Sequence, residues 1–182
     1  ISESASQEIK NILTKPLDWK RLKDLSVKQQ VWQFLYYNLN ELGFNSLAPA
    51  EILNHAKLTY CVNLIKNLAL EKEVLLISEK AEAKNLRLIP FRGTSMIYGV
   101  YNNPALRQMV DMDILVKPDD SQGIKDILME IGYQERDSAG HNMDDGSITS
   151  FSKKISQNLT VLIEPHTAIA SPRPYKIELP HR

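Results

Sequence analysis

The periodicity of the chain changes at Leu86, and that change constrains the fold more than any other feature. Ahead of it the apolar residues recur at helical spacing. Ser26 is placed to cap a helix carrying Val27, Val31, Leu35 and Leu39, with Phe34 widening the stripe and Gly43 as the stop. Leu47 to about Asn85 reads as a much longer helical region, with Pro49 in its first turn and Ile52, Ala56, Tyr60, Leu64, Leu68 and Leu75 along its apolar face. A short helix around Ile9 to Leu13 precedes both. From Leu86 onward, short strands and helices alternate. Leu86 to Phe91 predicts a strand, Thr94 to Val100 a helix and Val110 to Val116 a second strand. Asp119 can cap a helix bearing Ile124, Ile127, Leu128 and Ile131, which Gly132 ends. Ser147 to Ile155 and Leu159 to Glu164 read as two strands turning at Gln157-Asn158. The expectation is an α/β (α+β) fold: a helical region over 1–85 packed on an α/β core over 86–170, whose mixed sheet is flanked by helices, and a tail over 171–182.

A chain of 182 residues can bury about two thirds of its extended surface, so neither disulfides nor a structural metal is needed for folding. Cys61 is the only cysteine, which excludes an intrachain disulfide and a cysteine-based zinc cluster and makes the reducing cytoplasm the expected compartment. No apolar run approaches the roughly 18 residues of a membrane span, and the first residues do not form a signal peptide. The sequence starts without Met and ends in a tail with no capping helix, so a longer gene product is expected around it. Lys plus Arg is 22 and Asp plus Glu is 22, which removes any net attraction to nucleic acid or an acidic membrane. Trp19, Trp32, Tyr36 and Tyr37 therefore read as helix packing rather than a base-stacking surface. The stretch from Asp137 to Gly146, with His141, reads as a polar loop.

Asp111 and Asp113 stand two residues apart in a predicted strand, so their side chains leave the same face. Two carboxylates so placed repel unless water, a proton or a cation intervenes. Magnesium resolves that conflict with hard oxygen ligands, and substrate phosphates complete its octahedron. Such a pair alone can also be a solvated strand end. Its neighbours add weight. Phe91-Arg92-Gly93-Thr94-Ser95 runs from a strand through a glycine turn into a helix, a geometry that can direct amides and a hydroxyl at phosphate. Glu164 closes an apolar strand and can join the pair if that strand lies beside theirs, and Pro165 is expected to stop the ladder just after it.

Arg92-Gly93-Thr94-Ser95, Leu106-Arg107 through Val110-Asp111-Met112-Asp113-Ile114-Leu115-Val116, and Ile163-Glu164-Pro165-His166 together resemble the uncharacterised nucleotidyltransferase family of the DNA polymerase beta-like nucleotidyltransferase superfamily. The resemblance implies that Gly93 with Thr94 or Ser95 forms the phosphate turn, that Asp111 and Asp113 are paired metal ligands, and that Glu164 is the third acid. Arg92 stands where the family usually has lysine, exchanging a point charge for a planar fork. Arg107 matches a basic residue ahead of the carboxylates, and His166 the histidine after the third acid, with His166 and His141 as further candidates near substrate. Thr167 departs from the aromatic residue usual there.

What the resemblance implies is magnesium- or manganese-dependent transfer of a nucleoside monophosphate from a nucleoside triphosphate to a hydroxyl-bearing small molecule, sugar or protein. The charge balance argues against nucleic acid as the acceptor. A nucleotide-binding or protein-interaction domain without turnover and a metal-dependent phosphoester hydrolase are the other readings these residues allow.

Overall fold

The computed structural model describes residues 2–136 and 149–168. The loop and strand start expected between Asp137 and Ile148, with His141, and the tail from Ile169 on lie outside the described residues. The described chain forms two compact units, one from residues 2–68 and 97–109, the other from 69–96 and the described residues from 110 on.

The first unit is helical. Helix α1 spans Glu3–Leu13, with Ser2 Oγ accepting from the Ala5 amide. Helix α2, Trp19–Lys28, is capped by Asp18, whose carboxylate accepts from the Arg21 amide at 2.9 Å. Ser26 thus lies inside α2 rather than capping a new helix. The break comes at Gln30, which takes a left-handed φ of 57° while the Val31 amide donates back to the Ser26 carbonyl. That helix-ending geometry is usually a glycine's, so the pattern of apolar residues ran straight across it. Helix α3, Trp32–Glu41, follows and stops where Gly43 turns left-handed at φ 69°. Helix α4, Ala50–Ala83, begins in this unit and ends in the other.

Side-chain amides hold the segment ahead of the Asp pair within this unit. Gln33 donates to the Leu106 carbonyl at 2.6 Å, Asn63 to that of Ala105 at 3.4 Å, and Asn67 to those of Pro104 and Arg107. A buried segment with no ladder of its own must satisfy its carbonyls this way. The aromatic residues pack here too: Trp32 is buried and donates to His55 Nδ1 at 2.9 Å, and Tyr36 and Tyr37 lie 5.2 and 6.5 Å from the Tyr60 ring.

The second unit is built on a five-stranded mixed sheet ordered β1-β2-β5-β4-β3. The strands are β1 Leu88–Phe91, β2 Met112–Val116, β3 Gln134–Glu135, β4 Phe151–Ser156 and β5 Leu159–His166. Strand β1 pairs antiparallel with β2, β2 parallel with β5, and β5 antiparallel with β4. Helix α5, Gly93–Met96, continues as a π turn over Ile97–Tyr101. Helix α6, Ser121–Glu130, starts two residues after Asp119, which lies in the short 3₁₀ turn Pro118–Asp120. Gly132, at φ 91°, ends it as expected.

One face of the sheet carries Met112, Ile114, Val116, Phe151, Val161 and Ile163, all buried. Residues of α4 and α6 meet that face: Glu73 of α4 binds Lys153 of β4, and Lys125 of α6 lies over the Phe151 ring. Pro165 does not end the ladder. β5 runs on to His166, and its residues from Ile163 to His166 pair with β2. The described pairing with β4 stops at Ile163, so past that residue β5 has a neighbour on one side only among the described residues, where a missing N–H is tolerated. No helix among the described residues is long and apolar enough to cross a membrane.

Candidate active site

The register across three strands builds the site. Phe91 of β1 lies opposite Asp113 of β2, and Asp113 lies opposite Glu164 of β5. Residues directly opposite share a face, so the aromatic ring and the two carboxylates form one row on the face away from α4 and α6. His166, two residues beyond Glu164, returns to the same face. Asp113 Oδ1 lies 2.8 Å from His166 Nε2, within reach for the ring N–H to donate, and Glu164 Oε2 lies 4.0 Å from the same nitrogen. Asp113, Glu164 and His166 each offer a donor atom within 4.8 Å of the others.

Burial makes the cluster consequential. Asp113 is 8 % exposed and His166 1 %. A charge so placed needs partners, and Asp113 has a second one: Arg92 Nη1 approaches the same Oδ1 to 3.3 Å. The Arg92 guanidinium also lies 5.0 Å from the Phe91 ring centre, while the His166 ring meets Phe91 edge-on at 5.1 Å. Phe91 therefore supports both partners of Asp113. The sequence offers no signal for that role beyond Phe91's place before the Arg92-Gly93 turn.

The other candidates are distributed as follows. Asp111 is half-buried and precedes the first residue of β2, outside the group of three donors. Gly93, Thr94 and Ser95 open α5, which packs on β1 and β2. The Thr94 hydroxyl is buried with no hydrogen-bond partner among the described residues, whereas Ser95 Oγ donates to the Arg92 carbonyl at 3.0 Å. Arg107 belongs to the first unit, its carbonyl held by Asn67. Thr167 follows directly on the site strand. A cavity of about 930 Å³ opens at the far end of β2, bounded by Leu86, Leu88, Leu115 and Val116 with Arg87 and Lys117 among its lining. It contains none of the three donors.

A mixed sheet flanked by helices, with a strand-glycine-helix turn beside carboxylates on neighbouring strands, defines a nucleotidyltransferase-like α/β domain. The profile of a family described as "Uncharacterised nucleotidyltransferase" matches residues 15–182, and the chain belongs to that family. No curated protein and no solved structure matches it.

Proposed function

We propose that this protein transfers a nucleoside monophosphate from a nucleoside triphosphate to a hydroxyl group of a small molecule, sugar or protein side chain. The observation carrying this reading is the row in which Asp113 and Glu164 stand side by side, one strand from the Arg92-Gly93 turn. Family membership supports the general reaction and a divalent cation with it.

The donors suit such a cation. Two carboxylates supply the hard oxygens that magnesium and manganese take, and the imidazole nitrogen is acceptable to manganese. Asp113 and Glu164 would hold it, with Asp111 reaching in from the residue ahead of β2. A bound cation supplies charge neutralisation at the phosphates and favours the acceptor alkoxide. The protein's own groups do the rest. Gly93, Thr94 and Ser95 position phosphate, Arg92 offsets its charge, and Glu164 orients the acceptor hydroxyl. The acceptor oxygen bonds to the α-phosphorus, the bond from that phosphorus to the bridging oxygen breaks, and pyrophosphate leaves.

The test is a screen of the four common nucleoside triphosphates with magnesium or manganese against a panel of hydroxyl acceptors, read by pyrophosphate release and intact product mass. A nucleotidylated acceptor is the expected result. Phosphate or pyrophosphate release without an adduct would replace transfer with hydrolysis, and metal-dependent binding without release would leave a binding domain.

A further inference from the structure

Arg92 raises a conflict within that reading. Asp113 Oδ1 already meets two groups, His166 Nε2 at 2.8 Å and Arg92 Nη1 at 3.3 Å. A divalent cation and a guanidinium cannot both sit against one carboxylate oxygen without strong mutual repulsion. One must leave when the other arrives. The His166 ring is fully enclosed and fixed by the edge of Phe91, while the Arg92 side chain is 49 % exposed. Arg92 is therefore the group that can move.

We propose that Arg92 is the resident counter-ion of Asp113 in the metal-free protein, displaced by the divalent cation and then handed to the substrate's phosphates. The inference rests on the reading that Asp113 and Glu164 hold the cation, and adds a regulatory role for a residue otherwise assigned only to phosphate. Three observations converge on it. The contact to Asp113 is long for a charge-assisted hydrogen bond and uses one nitrogen of a fork built for two oxygens. The backbone at Arg92 is left-handed, φ 52°, a conformation that a non-glycine residue holds at a cost. The Phe91 face under the guanidinium gives it a second resting contact beside the Gly93 turn.

A phosphate can meet the planar fork with two oxygens, where Arg92 contacts one oxygen of Asp113. The consequence is cooperativity by exchange. Triphosphate draws Arg92 off Asp113 and raises cation affinity, and the cation raises triphosphate affinity by the same factor, because linkage between two binding equilibria is reciprocal.

The test follows manganese by the loss of its free-ion electron paramagnetic resonance signal, first with manganese alone. Arg92→Gln is expected to bind manganese at least about fivefold tighter than the wild-type chain, and Arg92→Lys, which keeps the competing charge, to stay within about twofold of it. With manganese in excess, inorganic tripolyphosphate is expected to bind Arg92→Gln at least about tenfold more weakly, so one substitution moves the two affinities in opposite directions. Thermal melting checks the fold, and Arg92→Gly, which suits the left-handed backbone, stands in if glutamine destabilises it. Equal or weaker manganese binding in both neutral variants overturns the exchange while leaving Asp113 and Glu164 as ligands. If neither wild type nor any variant takes up manganese, the cation site itself fails and the exchange with it.

Discussion

At the scale of single residues, Asp113 shows what a sequence can and cannot announce. Its spacing from Asp111 and the apolar strand around it suggested a ligand. Glu164 was legible too, as the acid closing another apolar strand, but only the register set it opposite Asp113. Nothing in the sequence indicated that His166 Nε2 and Arg92 would converge on one oxygen of Asp113, because both contacts depend on strand order and on Phe91 as a common support. The spacing alone would make Asp113→Asn relieve repulsion and stabilise the metal-free protein. The two partners reverse that sign. We expect that substitution to cost about 1 kcal/mol, since a buried charge-assisted contact is lost and the Arg92 contribution is screened by solvent. Replacing His166 by Ala should cost more, about 3 kcal/mol, because it leaves a cavity beside an underpartnered carboxylate. Urea unfolding of both proteins decides. A neutral His166→Ala would mean the ring does not support Asp113.

At the scale of elements, helix α4 is legible but its buried side only in part. Of the expected face, Ala56 is fully buried and Ile52, Tyr60 and Leu64 are half-buried, but Leu68 and Leu75 are exposed, whereas Leu70, Val74, Ile77 and Ala81 are buried. Apolar residues lie on several sides of α4, so spacing could not choose among them. Burial instead follows polar partners that periodicity does not register: Asn63 and Asn67 serve loop carbonyls, and Glu73 is 7 % exposed between Lys153 and Tyr133. Lys153→Met should cost about 3 kcal/mol by removing the cation from a buried carboxylate. Tyr133→Phe should cost about 1 to 2 kcal/mol through the lost hydrogen bond.

The Tyr133 phenol is pushed well above the usual tyrosine range near 10, by burial first and then by the Glu73 charge and hydrogen bond. Folding stability should hold below about pH 10 and fall as pH rises beyond it, with one tyrosine resisting ionisation in an ultraviolet titration until the chain unfolds. Tyr133→Phe should remove that component of the alkaline decline. Glu130 gives the opposite sign. Held down to about 2 by hydrogen bonds and charge from Lys80 and Lys84, its carboxylate contributes above the ordinary value of 4.5 and loses that contribution as pH falls towards 2. The exposure of the Glu130 side chain makes the effect small and sensitive to salt.

At the scale of the whole molecule, the helical beginning and the mixed α/β remainder followed from the switch in periodicity at Leu86. The two-residue strand β3 and the break at Gln30 did not, the first being too short to carry a pattern and the second using a non-glycine residue in a glycine's conformation. The sheet's unit draws Leu70, Val74, Ile77 and Ala81 from the end of α4, so a fragment starting at Leu86 should lack part of its core. We expect that fragment to unfold without the sharp transition of the full chain in calorimetry. A sharp transition at unchanged temperature would show the end of α4 to be dispensable.

We propose that Asp113 and Glu164 together hold a cation that binds triphosphate. Isothermal calorimetry of a nucleoside triphosphate, with and without magnesium, on wild type, Asp113→Asn and Glu164→Gln tests it most directly. Magnesium-dependent binding is expected in the wild-type chain, with a loss of at least about tenfold in each folded variant, since either change removes a carboxylate charge from the proposed shell. Unchanged magnesium-dependent affinity in folded Asp113→Asn would contradict it.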